Sequence, residues 1–136
     1  MKKLAKSLAL LFAAYWLLLA HVSLSFLDSP PAISRTSEDG QYRVLINDMY
    51  PVNPIGLYCL LTTESPIYFA LYDAKQNYIG QSSPFVCYGH WTAGYLLFPD
   101  EADNKSFVVV DVENNGELNI STKDKRWWSW WFGIFY

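Results

Sequence analysis

The chain has 136 residues, with 10 Lys or Arg against 13 Asp or Glu, two cysteines and 18% aromatic residues. That is room for one domain. From Asp28 onward seven basic residues stand against thirteen acidic ones, a formal charge of −6, which excludes nucleic acid, whose binding depends on basic clusters that neutralise phosphate.

The N-terminus opens with Lys2, Lys3 and Lys6 and then runs from Leu8 to Leu27 without a charge. A basic start followed by a long apolar run is an export signal, oriented with its N-terminus in the cytoplasm. About twenty residues rising ~1.5 Å each reach roughly 30 Å, the thickness of a hydrocarbon core. The run exceeds the roughly 7–15 apolar residues of a cleaved signal and contains Tyr15 and Trp16. Residues 1–27 therefore read as a retained single-pass signal anchor that meets membrane lipid through residues 8–27. Ser23-Leu24-Ser25 offers a cleavage site and with it the alternative of a soluble periplasmic protein. No cysteine lies near the end of the run, which excludes a lipoprotein.

Residues 28–37, with Pro30, Pro31 and four Ser or Thr, read as a linker. Residues 38–136 read as one β domain. Its predicted strands are QYRVLIND (41–48), LYCLLTT (57–63), IYFALYD (67–73), NYIGQSS (77–83), FVCYGHW (85–91), AGYLLF (93–98), SFVVVDV (106–112) and ELNIST (117–122). In the first, Tyr42, Val44 and Ile46 alternate with Arg43 and Asn47. The third is apolar on both faces, which predicts a central strand. Asn115-Gly116 is the strongest hairpin signal in the chain. The fold class expected is all-β, a small antiparallel β-sandwich or barrel-like domain of about 7–8 short strands after one N-terminal transmembrane helix.

Cys59 and Cys87 are an even pair in an exported domain and read as one disulfide. Neither belongs to a CxxC pair, so no metal and no cofactor is expected. The acidic loop Asp100 to Asn104 lacks the spacing and glycine of a calcium loop. His90 is the one histidine after the anchor, and no motif of a nucleophile beside a base accompanies it. No catalytic residue is assigned; an envelope enzyme using His90 is the minor alternative.

The C-terminus KDKRWWSWWFGIFY places the basic flank Lys123, Lys125 and Arg126 before Trp127, Trp128, Trp130, Trp131, Phe132, Phe135 and Tyr136. Ten residues are too few to span a bilayer as a helix. Read as a strand, the tail is aromatic on both faces, which marks a contact with lipid headgroups or with a partner, the other alternative being a terminal strand packed into the domain's own core. Its alternating aromatics also fit the closing strand of an outer-membrane barrel, although the other strands are too short for one.

The lysine-led anchor, the first strand Asp39-Gly40-x-Tyr42-x-Val44, the turn Leu71-Tyr72-Asp73 and Tyr78-Ile79-Gly80 together resemble a group of short enterobacterial signal-anchored envelope proteins of unknown function. The resemblance implies a bacterial envelope location and brings no catalytic residues. The expected protein is anchored in the inner membrane, has its domain in the periplasm and acts by binding a protein partner in the envelope. Acidic charge suits one concrete version, an immunity protein that neutralises a basic toxin acting in the periplasm.

Overall fold

The computed structural model describes residues 1–23, 33–90, 96–99, 106–109, 119–122 and 125–134. Helix α1 (Lys2–Leu19) continues as a 3₁₀ turn, Ala20–Val22. Strands β1 (Ile33–Thr36), β2 (Tyr42–Asp48), β3 (Ile67–Asp73) and β4 (Tyr78–Gln81) form a four-stranded antiparallel sheet in the order β1-β2-β3-β4. Helix α2 (Pro54–Thr62) lies between β2 and β3 in the chain. A second antiparallel sheet has the order β5 (Leu96–Leu97), β6 (Ser106–Val109), β7 (Asn119–Ser121). Helix α3 (Trp127–Gly133) follows.

The architecture is mixed α/β, and the all-β expectation is wrong. Leu57 to Thr63 is not a strand: it falls in α2. Its start was visible at Asn53-Pro54, a capping residue followed by a proline at the first helical position; the Asn53 side chain accepts the Gly56 N–H. The C-terminal strand is likewise a helix, α3. Phe85 to Trp91 is not a strand over its described part, where Tyr88 makes one isolated bridge to Ile67. Part of the expected linker is structured: Ile33–Thr36 pairs with Arg43 to Ile46 as the edge strand β1. The Asn115-Gly116 turn and the loop Asp100 to Asn104 lie outside the described residues.

Strand β3 explains the layering. It pairs on both edges, and because side chains alternate across a strand its two apolar faces supply two cores. Ile67, Phe69 and Leu71 join Val44 and Ile46 of β2 and meet Phe107 and Ile120 of the second sheet. Tyr68 and Ala70 face the other way, into a core built from Leu19, Val22, Met49, Cys59, Tyr78 and Phe132. Among the described residues, the four-stranded sheet is therefore covered by a small sheet on one face and by α1, α2 and α3 on the other. The end of α1 belongs to that helical layer.

Candidate functional site: the junction of the apolar helix with the domain

The junction begins with an ordinary helix problem. The last carbonyls of a helix have no intrahelical donor and need partners from elsewhere. At the end of α1 the Asn53 side-chain amide supplies them, donating to Trp16 O at 2.8 Å and Leu17 O at 3.2 Å. The same amide nitrogen lies 2.9 Å from His21 Nδ1, while its oxygen caps α2 through Gly56 N at 2.8 Å. One side chain thus joins the C-terminal end of α1 to the N-terminal end of α2.

His21 is fully buried. Its Nε2 is 2.6 Å from Pro84 O. A carbonyl can only accept, so Nε2 carries the proton and donates; Nδ1 then accepts from Asn53. Both ring nitrogens are satisfied by this neutral tautomer, as a buried polar group requires. Gly56 makes the close approach possible: a Cβ there would stand 2.3 Å from Tyr50 O and 2.9 Å from His21 Cβ. The Trp16 indole donates to Val52 O at 2.9 Å.

A second connection runs through Gln81 at the end of β4. Its side-chain amide reaches Val22 O at 3.4 Å, and its carbonyl oxygen accepts from Tyr78 OH at 2.9 Å. Its backbone N–H donates to Ser129 Oγ at 3.0 Å, and its backbone carbonyl accepts from the Trp128 indole at 3.0 Å. Gln81 therefore holds α3 and the end of α1 to the same strand. Gly80 leaves room for this, since a Cβ there would lie 2.9 Å from Ser129 Oγ. Cys59 of α2 is bonded to Cys87, S–S 2.07 Å and Cα–Cα 5.2 Å.

The tail residues separate by side of the helix. Ser129 and Phe132 are buried, Trp128 and Trp131 are half-buried, and Trp127 and Trp130 are 51% and 63% exposed. Phe132 is thus core and not surface. Trp127 and Trp131 line an apolar cleft of about 130 Å³ against Leu11, Ala14, Tyr15 and Leu18 of α1. The Phe85 ring lies 6.1 Å from that of Trp127 and 6.2 Å from that of Trp128. Lys125 and Arg126 are exposed just before α3. Lys123, Phe135 and Tyr136 lie outside the described residues. His90 is exposed, and among the described residues no group of three His, Cys, Asp or Glu could hold a metal ion.

The segment Lys2–Val22, 21 residues with a mean hydropathy of 1.6, is long and apolar enough to cross a membrane or to act as a signal. Only 22% of its most apolar window is buried within the protein. A family model described as a family of unknown function, DUF6201, matches residues 1–132. The chain belongs to that family. The match takes in the apolar helix and all but the last two residues of the described tail, so the DUF6201 unit comprises the helix together with the domain. No curated protein and no solved structure matches the chain.

Sequence reasoning missed Asn53, His21 and Gln81. Asn53-Pro54 was a readable helix start. His21 sat inside an apolar run, where a lone imidazole needs a partner and so hints at burial in protein. Nothing local marked Gln81.

Proposed function

We propose that this DUF6201 protein is a bacterial inner-membrane protein with an uncleaved anchor and a periplasmic domain that acts by binding a protein partner rather than by catalysis. One observation carries the anchor: Leu19, His21 and Val22 are buried core residues of the domain. A signal peptidase cut after Ala20 would remove Leu19. A cut after Ser25 would take the whole α1 side of the junction, leaving Asn53, Gly56 and Gln81 facing a void. A helix that completes a core is a poor candidate for removal, whereas a cleaved signal is dispensable to the fold.

The remaining part of α1 supports the same reading. Leu4, Leu8, Leu10, Leu11 and Phe12 are each more than half exposed, which is costly in water and favourable in lipid. Lys2, Lys3 and Lys6 at its start fit a cytoplasmic N-terminus. The charge of −6 after residue 27 favours a basic partner.

Intact mass and alkaline extraction of the full-length protein made in bacteria test the anchor together. An unprocessed chain that stays with the membrane at alkaline pH is expected. A mature protein that begins at or after His21 would sink the proposal.

A further inference from the structure

The depth of the junction has a consequence for α2 and α3. If α1 crosses the bilayer, it has no length to spare: 21 residues rising about 1.5 Å each cover about 31 Å, against a hydrocarbon core of about 30 Å. The exit point is then near Val22. Anything packed beside residues 11–18 lies below it, by roughly 5 to 15 Å at that rise per residue. The rings of Trp127 and Trp131 are packed there, against Leu11, Ala14, Tyr15 and Leu18. Helix α2 starts at a similar level, since Asn53 at its N-terminus bonds Trp16 O and Leu17 O.

Both helices are dressed for that depth. Neither carries a charged residue. On α2 Leu57, Tyr58, Leu60 and Leu61 are 48 to 77% exposed, and Trp127 and Trp130 of α3, with Ile134 just after it, are 51 to 63% exposed. Phe85, also exposed, bridges the two: it packs on Trp127 and lies two residues before the Cys87 that is bonded to α2. Exposed apolar residues thus stand on α1, α2 and α3, and the Asn53 bonds, the α1–α3 cleft and Phe85 tie these helices together. Exposed Lys125 and Arg126 enter α3 where anionic headgroups would meet them.

We propose that α2 and α3 form a collar around α1 inside the outer leaflet, covered by lipid, with an acyl chain in the α1–α3 cleft. The proposal rests on α1 spanning the membrane. It makes the aromatic helix a device that fixes the height and tilt of the domain, because raising α3 out of the leaflet would return its exposed apolar rings to water. Lipid is the occupant because α3 packs on, and α2 is bonded to, the same stretch of α1 that would stand in the bilayer.

Tryptophan quenching in the full-length protein tests this. The protein is reconstituted into phosphatidylethanolamine/phosphatidylglycerol vesicles that contain lipids brominated either near the headgroup or near the chain end. Wild type is compared with W127F/W130F, which alters two exposed rings and leaves the core intact. Bromine at both acyl-chain depths is expected to quench strongly, and aqueous iodide to quench little. The double variant is expected to lose roughly a third of the bromine-quenchable emission, since it removes two of the six tryptophans while Trp16 remains on α1. Strong iodide quenching with alkali-resistant membrane association would overturn the collar and leave the anchor standing. Protection from both quenchers would also overturn it, since a protein surface would then cover the face. Release by alkali would overturn the anchor itself.

Discussion

The amide nitrogen of Asn53 lies 2.9 Å from Nδ1 of His21, so a residue of the domain and a residue of the apolar N-terminal segment complete each other's hydrogen bonding. Replacing Asn53 with Ala removes the α2 cap, worth about 1 kcal/mol. It also leaves the buried His21 Nδ1 without its donor, at about 1–3 kcal/mol for a buried unsatisfied group. A loss of about 2–4 kcal/mol is expected by urea unfolding in detergent. A loss under ~0.5 kcal/mol, the range of an ordinary surface change, would mean that the junction does not form.

At Gly56 two effects oppose each other. Alanine is the better helix former by about 1 kcal/mol, so an exposed Gly→Ala would stabilise. Here the new Cβ would meet the Tyr50 carbonyl at 2.3 Å and His21 Cβ at 2.9 Å, and the first of these is backbone that cannot swing aside. Overpacking of about 1–3 kcal/mol wins. Gly56→Ala is expected to lower the melting temperature, and calorimetry that finds it raised would contradict the close approach of α2 to α1.

The Cys59–Cys87 bond closes a loop with a sequence separation of 28. Chain entropy gives about 3–4 kcal/mol for such a loop. The double variant Cys59→Ser/Cys87→Ser is expected to unfold at lower denaturant concentration by that amount. Wild type treated with a reductant is expected to follow it, and the two midpoints are compared directly.

On α3 the decisive contact is the Gln81 N–H donated to Ser129 Oγ at 3.0 Å. Ser129→Ala leaves that buried N–H without its acceptor, for an expected loss of about 1–3 kcal/mol. Trp130→Ala, at an exposed position, is expected to leave the unfolding midpoint of the detergent-solubilised protein unchanged within about 0.5 kcal/mol. The contrast separates the packed side of α3 from its outer side.

Acid sensitivity should come in part from two turn aspartates. The Ser37 hydroxyl, followed by the Gln41 N–H, holds Asp39 below the usual carboxylate range. The Asn77 backbone N–H, followed by its side-chain amide, does the same for Asp73. A carboxylate with a depressed folded value contributes stability above its unfolded value, near pH 4, and that contribution fades as pH falls through the folded one. Asp73→Asn is therefore expected to flatten the decline in melting temperature below about pH 4. An unaltered decline would remove the assignment. Asp39 is exposed and Asp73 no more than half-buried, so the effect is small.

The sequence by itself determined the parts whose pattern has contrast. Three lysines before a chargeless run make α1 legible; alternation makes β2 legible, and a run apolar on both faces marks β3 as central. The cysteine pair was readable from its even number alone. The failures came where everything is apolar. LYCLLTT and WWSWWFG offer no charged position and too few polar ones with which to tell a period of 2 from one of 3.6, and their aromatic and branched content leans toward strand. What decided them was tertiary. Gly56 and Cys59 of α2 turn toward His21 and Cys87, and Ser129 and Phe132, three residues apart on α3, turn toward Gln81 and the core. That the apolar helix is also domain core could not be read locally, because burial of Leu19, His21 and Val22 depends on residues more than thirty positions away that only the folded chain brings to them.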